Sequence, residues 1–80
     1  MKLNQSVPLR IREILQQKNM SQYKLEKLSC ISHNTMNALM NGHYKSCNLY
    51  TLTLIVNALN MSLSEFFDSP YFDNTINDVE

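Results

Sequence analysis

The sequence predicts an all-α fold of five short helices, and two observations carry this prediction. Apolar residues recur at intervals of three and four along much of the chain, which is the period of an amphipathic helix. The chain also contains one glycine and two prolines, too few for the tight turns of a small β-protein. With 80 residues, 44% of them hydrophobic, it is long enough for one domain and apolar enough for a globular core.

Helix 1 is predicted over residues 7–18, where apolar side chains form a single stripe along one helix face. The residues of this stripe are Val7, Ile11, Ile14 and Leu15. Pro8 falls in the first turn of the predicted helix, where its missing N–H removes no hydrogen bond. We therefore expect the proline to be tolerated.

Helices 2 and 3 are predicted over residues 22–29 and 33–40, and their starts share one pattern. Ser21 and Ser32 can each cap a helix N-terminus. The apolar residue before each serine can pack on a residue in the following helix, as a hydrophobic staple. Gly42 stands where the end of helix 3 favours a left-handed backbone. The residues expected to face the core from these two helices are Leu25, Leu28, Met36 and Leu39.

Helices 4 and 5 complete the predicted domain. Helix 4 begins after a cap at Asn48 and ends at Asn60, and helix 5 covers residues 63–67, stopping before Pro70. A capping box at the start of helix 5 pairs Ser62 with Glu65. The expected buried stripe of helix 4 consists of Leu49, Leu52, Ile55, Val56 and Leu59. Residues 1–67 are thus predicted to form the domain, and residues 68–80 an acidic C-terminal extension.

The charged residues divide between the two parts of the chain. Residues 1–47 carry all seven basic residues and only two acids, Glu13 and Glu26, a net charge of +5. Residues 48–80 carry five acids and no base, a net charge of −5. A basic face is the electrostatic pattern of phosphate binding, whereas ordinary solvated surface charge is the alternative.

Two short helices joined by a turn of about three residues form a helix-turn-helix unit, and here the residues resemble a known family. Over residues 18–67 the sequence is similar to the lambda-repressor-like (Cro/CI, XRE-type) helix-turn-helix family. The residues that carry the resemblance are Met20-Ser21-Gln22, Leu25, Lys27-Leu28, Ile31-Ser32, Met36, Leu39, Asn41-Gly42, Leu49, Thr51-Leu52, Ile55, Ala58-Leu59, Met61-Ser62-Leu63 and Glu65-Phe66-Phe67. The resemblance implies a five-helix fold that binds double-stranded DNA, with helix 3 in the major groove and dimers on paired half-sites.

The resemblance also assigns base-reading positions to helix 3. Asparagine can bond adenine through N6 and N7, and a neutral histidine can donate to a guanine acceptor. Because asparagine and histidine are weak helix formers, their presence on one helix face favours a contact role over a merely solvated surface. The residues expected to contact base edges are His33, Asn34, Asn37 and Ala38.

Contacts to the DNA backbone are expected around the two ends of the helix-turn-helix. In the family the glutamine that opens helix 2 binds a phosphate, which suits the free N–H groups of a helix N-terminus. The residues expected to contact phosphate are Gln22, Thr35, Asn41 and Lys45. Arg10, Arg12, Lys24 and Lys27 are expected to add field or flanking contacts.

Two residues depart from the family pattern. Glu26 stands where the family favours a small residue, so it would crowd the contact between helices 2 and 3 unless it bends outward. Cys30 stands where a glycine is usual. A left-handed backbone at a cysteine costs about 1–2 kcal/mol, so either the turn differs or the residue tolerates strain.

A second surface is predicted from apolar residues outside the expected core. Tyr50 and Leu54 lie one helical turn apart on helix 4 and are expected to face away from its buried stripe. Together with tail residues they are expected either to form a homodimer contact or to fold back on the domain. The tail residues concerned are Tyr71, Phe72 and Ile76.

Other classes of protein are disfavoured. Cys30, Cys47, His33 and His43 lack the paired close spacing of zinc ligands, so no metal or other cofactor is expected. No nucleophile has a recognisable base beside it, and neither an enzyme nor a small-molecule receptor is expected. No apolar run long enough to span a membrane occurs, and a cytoplasmic location is expected.

The leading hypothesis is therefore a sequence-specific transcriptional regulator, a dimeric repressor of phage or mobile-element type. The alternative is a protein-interaction module on the same fold, such as an antitoxin or anti-repressor, whose acidic and aromatic tail binds a partner protein. DNA affinity without a partner favours the first hypothesis, and a long interaction tail favours the second.

Overall fold

A computed structural model describes residues 2–43 and 48–73 of the chain. Within these ranges the structure is entirely helical, with no strand, as the sequence predicts. The elements in chain order are α1 (Leu3–Gln17), α2 (Gln22–Ser29), α3 (His33–Met40), α4 (Leu49–Ala58), α5 (Leu63–Phe67) and a 3-10 helix (Pro70–Phe72). None of these helices has both the length and the apolar character needed to cross a lipid bilayer.

All five α-helices contribute to one hydrophobic core. Each α-helix contributes at least one side chain that is completely inaccessible to solvent. In chain order from α1 to α5, these side chains include Ile11, Leu25, Met36, Ile55 and Phe66. The predicted stripe of α1 is buried in full, and α2 and α3 pack against α4 and α1 respectively. The core thus fixes α2 and α3 in position between α1 and α4.

Two residues expected in the core are exposed instead. Leu28 is 49% exposed and Leu49 is 65% exposed. In α2 the buried positions are taken by Leu25, Glu26 and Ser29, and the Ser29 hydroxyl donates to the Leu25 carbonyl at 2.7 Å. Leu49 is the first residue of α4 and precedes the buried part of that helix. Both predictions were wrong because periodicity gives the direction of a side chain and not how far the neighbouring element extends.

The start of α1 also differs from the prediction. The helix begins at Leu3, so Pro8 lies in the second turn and not in the first. There the proline deprives the Asn4 carbonyl of its usual helical partner. The Asn4 side-chain amide donates to the Gly42 carbonyl at 3.1 Å. The additional turn of α1 is therefore tied to the end of α3.

A residue with positive φ follows each of the first four helices. These residues are Asn19 (φ 53°) after α1, Cys30 (φ 59°) after α2, Gly42 (φ 71°) after α3, as the sequence predicts, and Asn60 (φ 59°) after α4. After α1 and α4 the next N–H bonds back to the helix, from Met20 to Leu15 and from Met61 to Val56, as in a Schellman motif. Asparagine tolerates this conformation, whereas cysteine does not favour it. The sequence left two alternatives at Cys30, a different turn or a residue that tolerates strain. The structure shows the second, because the backbone of Cys30 is left-handed.

Arg10 anchors the C-terminal end of α5. Its Nε donates to the Phe66 carbonyl at 2.7 Å, and its Nη2 donates to the Glu65 carbonyl at 2.8 Å. Its Nη1 pairs with the Glu13 carboxylate at 2.7 Å. Carbonyls in the last turn of a helix have no partner within the helix. The guanidinium supplies one to the Phe66 carbonyl and adds a second to the Glu65 carbonyl, which also accepts from the Asp68 N–H at 3.3 Å. Arg12 similarly donates to the Met40 carbonyl at the end of α3, at 3.1 Å.

The described part of the C-terminal extension folds back on the domain. Phe72 packs against Phe66 and Phe67, with ring-centroid distances of 5.9 and 4.8 Å. Ser69 is buried and the 3-10 helix contacts α1. Leu54 is half-buried against the core as well, so it does not form a fully exposed pair with Tyr50. Ile76 lies outside the described residues.

Replacing Cys30 with glycine is expected to stabilise the protein. Relief of about 1–2 kcal/mol of left-handed strain exceeds the extra unfolded-state entropy of glycine, about 0.5–1 kcal/mol. Urea unfolding should therefore show a gain of about 0.5–1 kcal/mol for Cys30→Gly. The matched control is Asn60→Gly, which should gain less because asparagine already tolerates this backbone. A Cys30→Gly protein less stable than the parent would contradict this account of the turn.

The Glu65 carboxylate should make stability depend on acid pH. The Ser62 N–H donates to it at 3.0 Å, and this backbone hydrogen bond, followed by the Ser62 side chain, lowers the pKa of Glu65 from its usual 4.5. A carboxylate with a lowered folded-state pKa stabilises the fold above its unfolded-state pKa, and this stabilisation disappears as pH falls through the folded-state value.

Parent and Glu65→Gln proteins should therefore differ in unfolding free energy at pH 7, and the difference should shrink as pH falls below about 4.5. Denaturant titrations across this range measure it. The nearby exposed acid Asp68, changed to asparagine, is the control for loss of one charge. A Glu65→Gln difference that is independent of pH would rule out the capping box as its source.

Candidate nucleic-acid interface

The helix-turn-helix unit consists of α2, the turn at residues 30–32, and α3. Both predicted serine caps are present. The Ser21 hydroxyl accepts from the Lys24 N–H at 3.1 Å, and the Ser32 hydroxyl accepts from the Thr35 N–H at 3.2 Å. Ile31 in the turn is buried. Each helix has only eight residues, so these caps and the buried turn residue fix where both helices begin.

The two faces of α3 differ sharply in chemistry. Its inward face carries the buried side chains of Met36, Leu39 and Met40. The other face runs along the helix at positions i, i+1, i+4, i+5 and i+8, which share one side of a helix. Its residues are His33, Asn34, Asn37, Ala38 and Asn41, of which only Ala38 is half-buried and the rest are exposed. The predicted base-reading residues therefore lie together on one face.

The predicted phosphate-contacting residues occupy the ends of the unit. Gln22 is the half-buried first residue of α2, and Thr35 is half-buried in the first turn of α3. The Thr35 hydroxyl oxygen accepts from the Ser32 hydroxyl at 3.0 Å. Asn41 caps the C-terminal end of α3 and is exposed. Lys45 lies outside the described residues.

Glu26 is the residue of this site whose position differs most from the one expected from the sequence. It does not bend outward into solvent, since it is only 8% exposed. Its Oε2 accepts from the Gln22 side-chain amide at 3.0 Å and contacts the His33 Nδ1 at 2.9 Å. These hydrogen bonds, that from Gln22 foremost, lower the pKa of Glu26 below its usual value of 4.5. A buried carboxylate therefore joins the first residue of α2 to the first residue of α3.

The contact between Gln22 and Glu26 could be predicted from the sequence. These residues are four positions apart in one helix, where side chains can contact each other. The contact with His33 crosses the turn and has no comparable spacing rule. The site thus contains a linking residue, Glu26, that reasoning from the sequence treated only as a departure from the family pattern.

Positive charge in this region comes mainly from α2 and the end of α1. Lys18, Lys24 and Lys27 are exposed, and the Lys27 ammonium lies 5.2 Å from the centroid of the Tyr23 ring. Arg10, in contrast, is committed to the carbonyls of α5. Among the described residues, no cluster of histidine, cysteine, aspartate or glutamate is arranged to hold a metal ion.

A family model described as the Cro/C1-type HTH DNA-binding domain matches residues 10–70 of the chain. The matched segment covers more than half of the chain and includes the whole helix-turn-helix unit. No curated protein and no solved structure matches the chain.

Proposed function

The chain belongs to the Cro/C1-type HTH DNA-binding family, and from this premise we propose that it is a sequence-specific, dimeric repressor of phage or mobile-element type. Membership of this family makes it a DNA-binding regulator. The observation that most favours sequence-specific binding is the exposed face of α3, which carries amide and imidazole groups and no charged side chain. Such groups form directional hydrogen bonds with base edges, whereas lysine-rich surfaces bind phosphates without regard to sequence.

In this proposal α3 lies in the major groove. His33, Asn34 and Asn37 contact base edges, and Ala38 offers an apolar contact suited to a thymine methyl group. An asparagine there can donate to N7 and accept from N6 of an adenine, a pattern that no other base pair presents. The proposal thus places directional contacts along about two turns of helix.

Contacts to the DNA backbone then hold the protein in register. The N-terminus of α2 at Gln22 presents free N–H groups to an anion, and Thr35 and Asn41 stand beside the reading face. Lys24 and Lys27, both exposed on α2, supply long-range attraction to phosphates. Repression would follow from occupancy, since a protein seated over a promoter excludes polymerase from it.

The surface proposed for the dimer is narrower than the sequence indicated. Tyr50 is 72% exposed and its neighbour Leu49 is 65% exposed, so the start of α4 presents two adjacent apolar side chains to solvent. Leu54 and Phe72 pack mainly within the domain, and Tyr71 is half-buried. We therefore propose that Tyr50 and Leu49 form the centre of a homodimer contact.

Alanine at Asn34 or Asn37 should weaken binding to the selected operator by about 1–3 kcal/mol and relax preference at one base position. Selection of bound sequences from random DNA first supplies the operator, and titration then measures affinity for it and for a scrambled duplex. Affinity of the parent should also fall steeply as salt is added. Asn57→Ala, at an exposed asparagine of α4, is the matched control and should bind as the parent does.

Two results would count against this proposal. If the Asn34 and Asn37 variants distinguish operator from scrambled DNA as well as the parent does, these two residues of α3 do not read the base sequence. A folded parent protein without duplex affinity in dilute buffer would end the DNA-binding proposal itself.

Replacing Tyr50 with serine should convert the dimer to monomer. Loss of a large apolar side chain from the centre of an interface removes much of its binding energy. Sedimentation should report half the parent's mass, and affinity for paired half-sites should fall more than affinity for a single half-site. Tyr23→Ser, at a tyrosine of α2 that is 66% exposed, is the control. An unchanged mass for Tyr50→Ser would exclude this surface as the dimer contact.

A further inference from the structure

His33 is fixed at one ring nitrogen and open at the other. Its Nδ1 lies 2.9 Å from Oε2 of Glu26, yet its side chain is 71% exposed whereas that of Glu26 is 9% exposed. The same Oε2 accepts from the Gln22 amide at 3.0 Å. The carboxylate is therefore held between two partners, and the free edge of the imidazole, which carries Nε2, is turned toward solvent on the proposed reading face.

The chemistry of this contact determines which nitrogen carries the proton. An ionised carboxylate has no hydrogen to donate, so Nδ1 of His33 must donate to Glu26. The hydrogen bonds from Gln22 and His33 lower the pKa of Glu26, which keeps it ionised at neutral pH. In a neutral imidazole one nitrogen donates and the other accepts. With the proton on Nδ1, the exposed Nε2 is an acceptor.

We propose that Glu26 is a positioning residue that makes His33 read a base bearing an amino group. In the major groove cytosine presents the N4 donor and adenine the N6 donor, whereas guanine presents only acceptors. An acceptor at Nε2 pairs with the first two and is repelled by guanine. Cytosine is the better match, because a lone acceptor leaves N7 of an adenine without a partner. This inference rests on the proposed function.

The prediction from the sequence alone was the opposite, a neutral histidine donating to guanine. That prediction treated the imidazole as free to carry its proton on either nitrogen. The small residue that the family favours at the position of Glu26 would leave both choices open. The buried carboxylate removes one of them, so base preference at His33 depends on a residue that need not touch DNA.

The first experiment examines the histidine without DNA. Nitrogen-15 NMR of the full chain, at a pH where the His33 spectrum shows a neutral ring, distinguishes a protonated Nδ1 from a protonated Nε2. The parent should show the proton on Nδ1. Glu26→Gln can either accept from Nδ1–H or donate to a bare Nδ1, so it should show a mixture. A parent ring protonated on Nε2 would overturn the inference, whatever the protein does with DNA.

The second experiment measures base preference. Selection from random DNA with the parent and with His33→Ala identifies the operator position that His33 reads, as the one whose preference disappears. At that position the parent should bind cytosine or adenine roughly 3- to 10-fold more tightly than guanine, the range expected for one hydrogen bond. Glu26→Gln should reduce this preference to about twofold or less while retaining preference elsewhere in the site. Asp68→Asn, which removes one negative charge outside the helix-turn-helix, should keep the parent's preference.

The outcomes separate this inference from the proposed function. A parent that binds its operator but prefers guanine at the His33 position, or a Glu26→Gln protein with the parent's preference, would overturn the role of Glu26 and leave DNA binding intact. A parent with no duplex affinity would end both. If Glu26→Gln fails to fold, Glu26→Ala replaces it, since the family favours a small residue there, and the same loss of preference is expected.

Discussion

The fold depends on one shared core, because no helix of the helix-turn-helix is long enough to stand alone. Isolated helices shorter than about 12–15 residues are marginal in water, and α2 and α3 have eight residues each. Leu25 and Met36, their central apolar residues, are completely buried. The position of the proposed reading face on α3 is therefore set by apolar contacts on the opposite side of the helix-turn-helix, which packs against α1 and α4.

Much of this framework could be predicted from the sequence because its signals are local. Ser21, Ser32 and Ser62 all cap the helices that they were expected to cap. The errors occurred where a local rule needed information about a neighbour. Pro8 is compatible with the second turn of α1, a position that the first-turn rule does not anticipate, and the exposure of Leu49 depends on where its neighbours end.

The candidate site could be predicted in part, for the same reason. The residue types on α3 indicated a polar reading face, and its composition together with helical periodicity places His33, Asn34 and Asn37 side by side. The contact between Glu26 and His33 could not be predicted, because it depends on the angle between α2 and α3 and on the left-handed turn at Cys30. Arg10 shows the same limit: its charge suggested DNA, whereas its geometry commits it to the end of α5.

A buried acid such as Glu26 beside the proposed DNA-binding face has a cost in binding free energy that its position helps to offset. The charge of Glu26 repels nearby phosphates, so it lowers the attraction of the protein for DNA of any sequence. Glu26 contacts the first residue of α3, near the positive end of that helix's dipole, where a negative charge is favourable. The effect that we propose for it through His33, in contrast, acts at a single base pair. Because a regulator must distinguish its operator from a large excess of other sites, the ratio of specific to non-specific affinity matters more than either affinity alone. The repulsion lowers specific and non-specific affinity alike and therefore cancels in this ratio, so only the contact proposed through His33 would raise it.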